Sequence, residues 1–236
     1  MQADLCRCWR SILFLQGGVA RGHGLQVRVQ EVRGHDALTD KPFSESCAQN
    51  RDPILAVLRG VFADCVQVLE IGSGTGQHAV YFGAELPHLR WQTGDLPLHH
   101  AGIRMWLDEA GLPNVLPPLA LDVNENSWHT GRYDGVFSAN TLHIMSWPEV
   151  EKFFTGVGRV LEPGGTLAVY GPFNYNGQFT SESNARFDAW LKNRDPASGV
   201  RDFEAVDALA RTQGLSLQRD IAMPANNRTL VWMRTG

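Results

Sequence analysis

The sequence lacks a long apolar run. The longest one near the N-terminus, at residues 12–15 (ILFL), is far shorter than a membrane span of about 20 residues. It is also shorter than the apolar core of a signal peptide, which has at least about 7 residues. We therefore expect no export signal, no membrane partner and a cytoplasmic location.

Cysteine is also scarce, because the chain has only four, Cys6, Cys8, Cys47 and Cys65. Disulfide-stapled domains carry more of them, and zinc sites use pairs in the spacing CxxC, which this sequence does not contain. A reducing compartment and a site without metal are therefore expected.

Basic side chains are not in excess either. The chain has 21 lysines and arginines against 25 acidic residues, which gives a formal net charge of −4. Proteins that capture nucleic acid need positive charge to neutralise phosphates, so this balance disfavours nucleic acid as a partner. A small-molecule substrate fits better.

What the sequence does have is the composition of a globular protein, with 43% hydrophobic and 19% charged residues in 236. This length predicts one domain. Glycines interrupt every periodic pattern before residue 40, which predicts a poorly ordered extension over residues 1–40 and a single domain over residues 41–236. Up to Asp36 the extension is rich in arginine and poor in acids, as organellar transit peptides are, but it lacks their serines.

From about residue 42 on, short β-type runs alternate with runs at helical spacing, which predicts an α/β fold with βα units on a mainly parallel sheet. Strands are predicted at residues 66–71, 89–93, 116–121, 133–138 and 166–170, with a final hairpin around residues 224–227. Helices are predicted at residues 50–62, 76–86, 98–110, 182–191 and 201–213. One more helix begins at the capping box formed by Ser146 and Glu149.

The most informative segment is EIGSGTG at residues 70–76, where a predicted strand ends and a helix begins. Its glycines permit positive φ and a close approach of the backbone to a ligand, although the segment could also be a tight turn and nothing more. Gln77 and Ala79 break the GxGxxG spacing of dinucleotide sites, and Glu70 would repel a pyrophosphate but attract a cation. The segment therefore predicts a nucleoside ligand that carries positive charge.

Two further acidic residues stand at the ends of the next predicted strands. Asp95 lies about 20 residues beyond the glycines, where an acid in nucleoside-binding βαβ units takes the ribose hydroxyls. Its alternative role is the N-cap of the helix that begins near Leu98. Asp122, followed by Val123, offers a carboxylate and a backbone N–H to an adenine edge, or else forms a loop turn. Three acids at consecutive strand ends predict one binding site on that rim of the sheet.

These motifs, namely VLEIGSGTG at residues 68–76, Asp95, Asp122 and LEPGG at residues 161–165, resemble those of class I S-adenosylmethionine-dependent methyltransferases. More narrowly, residues 43–232 resemble the methyltransferase-like 26 family, through NRDPI at 50–54, GTGQH at 74–78, ANTLHI at 139–144, YGPF at 170–173 and PANN at 224–227. The resemblance implies a seven-stranded, Rossmann-like methyltransferase sheet, mostly parallel with one antiparallel strand and with helices on both faces. It also implies bound S-adenosylmethionine.

The residues expected to bind this cofactor are Glu70, Gly72, Ser73, Gly74, Gly76, Gln77, Asp95, Asp122, Val123 and Asn140. Methyl transfer requires an in-line approach of a nucleophile to the methyl group, so positioning and water exclusion supply most of the acceleration. A base is needed only if the acceptor must lose a proton. The two candidates for catalysis, His143 and Asn140, follow the fourth strand, and their alternative roles are a packed histidine and a simple turn.

The candidates for substrate binding are Tyr170, Phe173, Asn174, Tyr175, Arg194 and Arg201. The first four belong to the aromatic, amide-rich segment after the fifth strand, whose composition suits a lid over an organic substrate or an ordinary long loop. The two arginines suit an acidic substrate, or solvated ion pairs with Asp195 and Asp202.

The sequence as a whole predicts an enzyme, an S-adenosylmethionine-dependent methyltransferase that acts on a small molecule. The alternative from a different class is a non-catalytic regulatory or scaffold protein that binds S-adenosylmethionine but has a blocked channel to the methyl group. A nicotinamide-dependent oxidoreductase is disfavoured by the glycine spacing and by Glu70.

Overall fold

The computed structural model of the chain describes residues 41–128 and 131–235, so the extension predicted for residues 1–40 lies outside the described residues. The strands in this part of the chain are β1 (Gln67–Ile71), β2 (Arg90–Asp95), β3 (Val115–Ala120), β4 (Tyr133–Ala139), β5 (Leu161–Gly171), β6 (Phe173–Asn174), β7 (Arg201–Asp202), β8 (Leu215–Met223) and β9 (Asn227–Arg234). The α-helices are α1 (Glu45–Val61), α2 (Gln77–Glu85), α3 (His100–Ala110), α4 (Trp147–Val160), α5 (Glu182–Arg194) and α6 (Phe203–Thr212). Every predicted strand and helix is present, with its boundaries shifted by a few residues.

Seven of the strands form one sheet in the order β3-β2-β1-β4-β5-β9-β8. Strands β1 to β5 pair with one another in parallel, and β9 is antiparallel to both of its neighbours, β5 and β8. This confirms the predicted fold class, a mostly parallel α/β sheet with one antiparallel strand. The chain leaves β1 in one direction along the sheet and returns to its other side at β4. Open α/β sheets bind ligands at such a switch point, beside the carboxyl ends of the strands.

Both faces of the sheet are covered by helices, as strands with few polar residues require. On one face, α1 and α2 pack in a core cluster that includes Val68, Trp91 and Phe137. On the other face, α4 and α6 pack in a cluster that includes Leu69 and Trp232. Neighbouring residues of β1 thus point into opposite layers, and this double packing holds the end of β1 in place.

Helix α1 begins at Glu45, earlier than the predicted residue 50. The side chain of Ser44 caps it by accepting from the backbone N–H of Cys47. The prediction relied on apolar spacing, which is visible only from Ile54 on. The first turn of α1 is held instead by polar contacts with the start of α2.

Residues 201 and 202, predicted as the start of a helix, form the short strand β7. This strand pairs in parallel with β6, which directly follows β5. Asp202 then caps α6 by accepting from the backbone N–H of Glu204. The pairing fastens the segment after β5 to the segment before α6, at the carboxyl edge of the sheet.

Among the helices of residues 41–128 and 131–235, none is long and apolar enough to cross a membrane. The same ranges contain no group of three or more histidine, cysteine, aspartate or glutamate side chains arranged to hold a metal ion.

Candidate functional site

The candidate site lies at the carboxyl edge of the sheet, where the loops after β1, β2 and β4 meet. The loop after β1, residues 72–76, is called the glycine loop below. The backbone amides of Gly72 and Ser73 both donate to the carbonyl of Gly94 in β2, and the Ser73 hydroxyl accepts from the Gly94 amide at 3.1 Å. The glycine loop is therefore held against the end of β2.

All three predicted glycines have a positive φ, which is 78° at Gly72, 59° at Gly74 and 88° at Gly76. Residues with a side chain are strained in this conformation. A Cβ at Gly72 would lie 2.4 Å from Cγ2 of Thr141, in the loop after β4, so this glycine allows two loops to touch. A Cβ at Gly74 would meet no atom within 4 Å, so the glycine loop has open space on that side.

Asp95 is mostly buried, and its carboxylate accepts from the backbone N–H of Gly74 at 2.6 Å and from that of Leu96 at 2.7 Å. Asp95 is not a helix cap, because Leu96 stands at the N-cap position of the 3-10 turn Pro97–His99 that leads into α3, and neither this turn nor α3 has a side-chain cap. Burial raises the pKa of Asp95, and the Gly74 amide and the nearby His99 oppose that change. The acid at the end of β2 is thus joined to the glycine loop.

Glu70 is almost completely buried at the end of β1, where it accepts from the indole N–H of Trp91 at 3.2 Å. Burial raises the pKa of Glu70 to about 7, and the hydrogen bonds from Trp91 and Ser73 oppose the rise while Asp95 adds to it. Near neutral pH this carboxyl group is therefore divided between its neutral and charged forms. A positive charge nearby would favour the charged form, which agrees with the role predicted for Glu70.

Asp122 and Val123 follow β3. The carboxylate of Asp122 accepts from the backbone N–H of Asn124 at 2.8 Å, so it forms the loop turn that was its alternative role. Val123 is buried in the core cluster that contains Leu69. The hydrogen bonds between the glycine loop and Asp95 do not extend to Asp122, and its contact with an adenine edge stays a prediction.

Gln77, predicted to bind the cofactor, has its side-chain amide bonded within the protein. Its Oε1 accepts from the backbone N–H of Ser44 at 2.5 Å and from the Thr75 hydroxyl at 3.0 Å. Its Nε2 donates to the Ser44 carbonyl at 3.4 Å. The side chain of Gln77 thus ties the start of α1 to the start of α2, and its direct contact with the cofactor stays a prediction.

Asn140 directly follows β4 and has a φ of 60°. Few residues other than glycine adopt this conformation, asparagine tolerates it better than most, and such positions cluster at functional sites. Its backbone N–H donates to the carbonyl of Tyr170 at 2.9 Å. Beside it, the hydroxyls of Ser138 and Thr141 lie 2.6 Å apart, and Ser138 also donates to the Ile71 carbonyl at 2.8 Å. Asn140 therefore forms a turn in a loop that is held to the end of β1, and its contact with cofactor or substrate stays a prediction.

His143 has the predicted position after β4, but it is only 2% exposed. Its ring meets that of Phe187 on α5 edge to face, with 5.2 Å between the centroids. Burial, with a smaller contribution from Arg201, lowers the pKa of His143 to about 3. The imidazole is therefore neutral at physiological pH and a weak proton acceptor. This favours the packing role over the role of a general base.

The two arginines predicted to hold an acidic substrate have different partners. The guanidinium of Arg201 donates to three backbone carbonyls, those of Leu142, Met145 and Ala197. Arg201 thus holds the loop that carries His143, and its contact with an acidic substrate stays a prediction. Arg194 is exposed at the end of α5, with its guanidinium 4.6 Å from the centroid of the Trp190 ring.

The segment predicted as a lid is a fastened turn. The hydroxyl of Tyr175 donates to Asp220 at 2.8 Å, and its ring stacks on Phe203 with 5.2 Å between the centroids. The backbone amides of residues 176 and 177 donate to carboxylates at the start of α6. Because its hydroxyl and its ring are both engaged in this way, Tyr175 attaches the turn to the rest of the domain, and its contact with substrate stays a prediction.

Phe173 and Asn174 form the short strand β6 and differ in what they offer a substrate. Phe173 is buried in the core, where it packs against apolar side chains, and its contact with a substrate stays a prediction. Asn174 is half-buried, and its Nδ2 donates to the Val200 carbonyl at 3.4 Å. Its Oδ1 is buried and has no hydrogen-bond partner within residues 41–128 and 131–235. A buried acceptor without a donor is costly, so Asn174 is a candidate for contact with a ligand.

Tyr170 belongs to a buried polar chain that the sequence reasoning missed. Its hydroxyl faces the side-chain amides of Asn50 and Asn227, and burial raises its pKa to about 12. Asn50 Oδ1 in turn lies 2.8 Å from Nε2 of His78. The imidazole of His78 stacks on the ring of Phe82, and burial lowers the pKa of His78 to about 4. These four polar residues come from the motifs NRDPI, GTGQH, YGPF and PANN, so the motifs already contained every member of this hydrogen-bonded group.

A family model described as DUF938, a protein of unknown function, matches residues 41–234 of this chain. Among solved structures, the chain is similar to an O-methyltransferase family protein from Burkholderia thailandensis, with a TM-score of 0.70 and 19% identity over 78% of this chain and 56% of that chain. It is similar to the S-adenosylmethionine-dependent methyltransferase SibL in its apo form, with a TM-score of 0.70 and 23% identity over 81% of this chain and 56% of that chain. It is also similar to the mitomycin 7-O-methyltransferase MmcR, with a TM-score of 0.71 and 17% identity over 81% of this chain and 55% of that chain.

The chain spans little more than half the length of these methyltransferases, 56% in the first two cases. At such identities the likeness shows the fold, which is the Rossmann-like α/β fold of class I methyltransferases.

Proposed function

The chain belongs to the DUF938 family, for which no function is known, and we propose that it transfers a methyl group from S-adenosylmethionine to a small-molecule acceptor. The observation that carries the proposal is the hydrogen bond between Asp95 and Gly74, because it brings the acid after β2 and the glycine loop after β1 into one site. That site lies at the switch point of the sheet, where this fold binds nucleosides. The narrower resemblance to the methyltransferase-like 26 family is part of the same proposal.

The residues at the carboxyl edge fit this cofactor. Gly74 has open space beside it and a backbone conformation that suits glycine, so a ligand can approach the loop closely. A carboxylate has about four acceptor positions, so Asp95 can bond two amides and still take ribose hydroxyls. Glu70, whose pKa is about 7, gains from a positive charge nearby.

The cofactor would supply an electrophilic methyl group on a cationic sulfur. The protein's own contribution is then to bind, orient and exclude water, as expected for a transfer that needs no covalent enzyme intermediate. Asn140, held by its backbone to the end of β5, would orient the acceptor or the amino end of the cofactor. Its fixed turn makes that orientation reproducible.

A small molecule as the acceptor is supported by the chemistry of the site. MmcR is named for an acceptor of that size, mitomycin. The buried Oδ1 of Asn174 would accept from an N–H or O–H of such a molecule. An acidic acceptor has less support, since Arg201 is bonded to backbone carbonyls and Arg194 lies over Trp190.

The second candidate function is a protein that binds S-adenosylmethionine without turnover. The observation in its favour is His143, which is buried and has a pKa of about 3, so it is poorly suited to remove a proton from an acceptor. An active enzyme with this site would use an acceptor that needs no base, such as an amine or a thiolate.

Two measurements test the proposal. Calorimetry should give binding of S-adenosylmethionine and S-adenosylhomocysteine, and no binding of NAD at the same concentration. Incubation of the purified protein with labelled S-adenosylmethionine and a metabolite extract should transfer label to a small molecule. Tighter binding of NAD would overturn the proposal, and cofactor binding without any label transfer would favour the non-catalytic candidate.

A further inference from the structure

Residues 41–44, which we call the strap, lie just before α1 and are fastened to α3. The indole N–H of Trp106 donates to the carbonyl of Pro42 at 2.7 Å. The Nζ of Lys41 lies 3.8 Å from the centroid of the same ring and pairs with Glu109. Phe43 lies against the ring as well, with 6.3 Å between the centroids. Residues 41–43 of the strap are thus held on α3 mainly by the side chain of Trp106.

The other end of the strap is fastened to α2. Ser44 is only 3% exposed, and its backbone N–H donates to Oε1 of Gln77, the first residue after the glycine loop, at 2.5 Å. Gln77 Nε2 returns a 3.4 Å hydrogen bond to the Ser44 carbonyl, and the Thr75 hydroxyl donates to Gln77 Oε1 at 3.0 Å. Thr75 belongs to the glycine loop, so the loop and the strap share one amide group.

Between these ends the strap crosses the place where α2 and α3 meet. A Cβ at Gly102 of α3 would lie 2.5 Å from Cγ of Pro42, so the proline ring is seated on that glycine. The next residue, Ile103, is buried and touches the glycine loop, because a Cβ at Gly76 would lie 3.1 Å from its Cα. The strap therefore lies one residue away from the contact that closes the glycine loop against α3.

We propose that Trp106 and Gln77 are positioning residues of the cofactor site, which act by holding the strap across the helices beside the glycine loop and so make it one wall of that site. The inference rests on the proposed function and assigns it two further residues. Neither residue has to touch the cofactor. Gln77 was predicted as a direct ligand, and the contacts of the strap account for its side chain and for that of Trp106.

The match to the DUF938 family supports the assignment, because it begins at residue 41, the first residue of the strap. The matched range therefore includes the whole strap. Its contacts join three segments that are distant in sequence, since Trp106 lies 64 positions after Pro42 and Gln77 lies 33 positions after Ser44. A wall assembled in this way limits how far the glycine loop can move and how easily a bound cofactor leaves.

The substitution Gly102→Ala tests the wall with little risk to the fold. Alanine is the better helix former, but its Cβ would lie 2.5 Å from a ring atom of Pro42 that cannot rotate away, so the strap must leave α3. Gly60→Ala is the matched control, because Gly60 lies inside α1 and a Cβ there meets nothing within 4 Å. We expect Gly102→Ala to bind S-adenosylhomocysteine about 3–10-fold more weakly, which corresponds to the loss of about one hydrogen bond, and Gly60→Ala to bind as the wild type does.

A second pair of variants removes one indole N–H each. Trp106→Phe keeps an aromatic ring under Lys41 but loses the donor to Pro42. Trp232→Phe is its control, since the indole of Trp232 donates to Asp207 at 2.9 Å within the core on the other face of the sheet. Both variants lose stability, but only Trp106→Phe should weaken S-adenosylhomocysteine binding, by about 2–10-fold.

Hydrogen exchange gives a readout that a purely structural role would not change. In the wild type, S-adenosylhomocysteine should slow amide exchange at residues 44–50, and in Gly102→Ala that ligand-induced protection should be lost. Equal affinity and equal protection in the wild type and Gly102→Ala would overturn the inference and leave the proposed function standing. A wild-type chain that binds neither S-adenosylmethionine nor S-adenosylhomocysteine would overturn the proposed function, and the inference with it.

Discussion

The carboxylate of Asp95 lies 2.6 Å from the backbone nitrogen of Gly74, so the acid that ends β2 holds the middle of the loop that follows β1. This hydrogen bond links the two parts of the site that carry opposite charge preferences. The helix start after the loop favours polar and anionic groups, while the carboxylate favours hydroxyls and cations. The hydroxyl groups of a cationic nucleoside suit the helix start, and its hydroxyl groups and positive charge suit the carboxylate.

Asp95→Ala should weaken binding of S-adenosylmethionine by about 1–3 kcal/mol without unfolding the domain, because ribose hydroxyls and the Gly74 amide lose their acceptor. Asp134→Ala is a matched control. Asp134 also accepts two backbone amides, those of Val66 and Gln67 at 2.7 and 2.8 Å, but at the opposite end of β1. The control should lose stability and keep its cofactor affinity. Calorimetry that gives the same affinity for Asp95→Ala as for the wild type would leave Asp95 a structural role only.

Asn140→Gly should keep the fold and impair the site. Glycine adopts the observed φ of 60° without strain, so only the side-chain amide is lost. We expect labelled-methyl transfer to fall about 10-fold, an effect worth about 1.4 kcal/mol, with thermal stability nearly unchanged. Asn176→Gly, at a φ of 51° in the turn after β6, is the control and should change neither property. Full activity in Asn140→Gly would mean that Asn140 is a turn former and nothing more.

His143→Ala should lower stability more than it lowers turnover. The wild-type imidazole has a pKa of about 3, so the rate should show no limb near pH 6.5 that belongs to this group. Removal of a buried ring leaves a cavity and should cost about 2–4 kcal/mol in urea unfolding. If His143 were the base instead, the variant would lose about 10²–10⁴-fold in turnover, and a limb near pH 6.5 would vanish with it.

Glu70 should make the protein less stable as the pH rises from about 5 to 8. Burial raises the pKa of Glu70 to about 7 in the folded protein, whereas an unburied glutamate, as in the unfolded chain, has a pKa of 4.5. Between these two pH values the folded state therefore holds a proton that the unfolded state has released. The cost grows up to about pH 7 and amounts to about 2–3 kcal/mol. Glu70→Gln keeps an acceptor for Trp91 and has no such proton, so the difference in unfolding free energy between the two proteins should follow this curve. A pH-independent difference would contradict it.

Bound S-adenosylmethionine should reverse part of this cost, because a positive charge favours the ionised Glu70. In the wild type, calorimetry at pH 6 should therefore show proton release on binding, measured as a dependence of the heat on the ionisation enthalpy of the buffer. In Glu70→Gln that part of the dependence should be absent. If the heat depended on the buffer in the same way in both proteins, the positive charge of the cofactor would not act on Glu70.

The features of the site that depend on neighbouring residues could be predicted from the sequence, and those that depend on residues far apart in the chain could not. The positive φ of the glycine loop was predictable, because glycines between a strand and a helix have few other uses. The place of Asp95 beside them was also predictable, since parallel strands end on the same edge of a sheet. The hydrogen bonds of Arg201 were not predictable, because its carbonyl partner at Leu142 lies 59 residues away. The charge of Arg201 suggested an acidic substrate, and its hydrogen bonds to backbone carbonyls exist only in the folded chain.

The sequence by itself determined the order of strands and helices and the edge of the sheet that carries the candidate site. Periodicity, caps and glycines act within a few residues, so they are legible in a single chain. Only the tertiary structure decided which polar atoms are left for a ligand. Gln77 is engaged by Ser44, 33 residues earlier, and His143 is covered by Phe187, while Gly74 retains open space. The physical reason is that desolvation and hydrogen-bond saturation depend on which elements pack together, and both quantities exist only once the chain is folded.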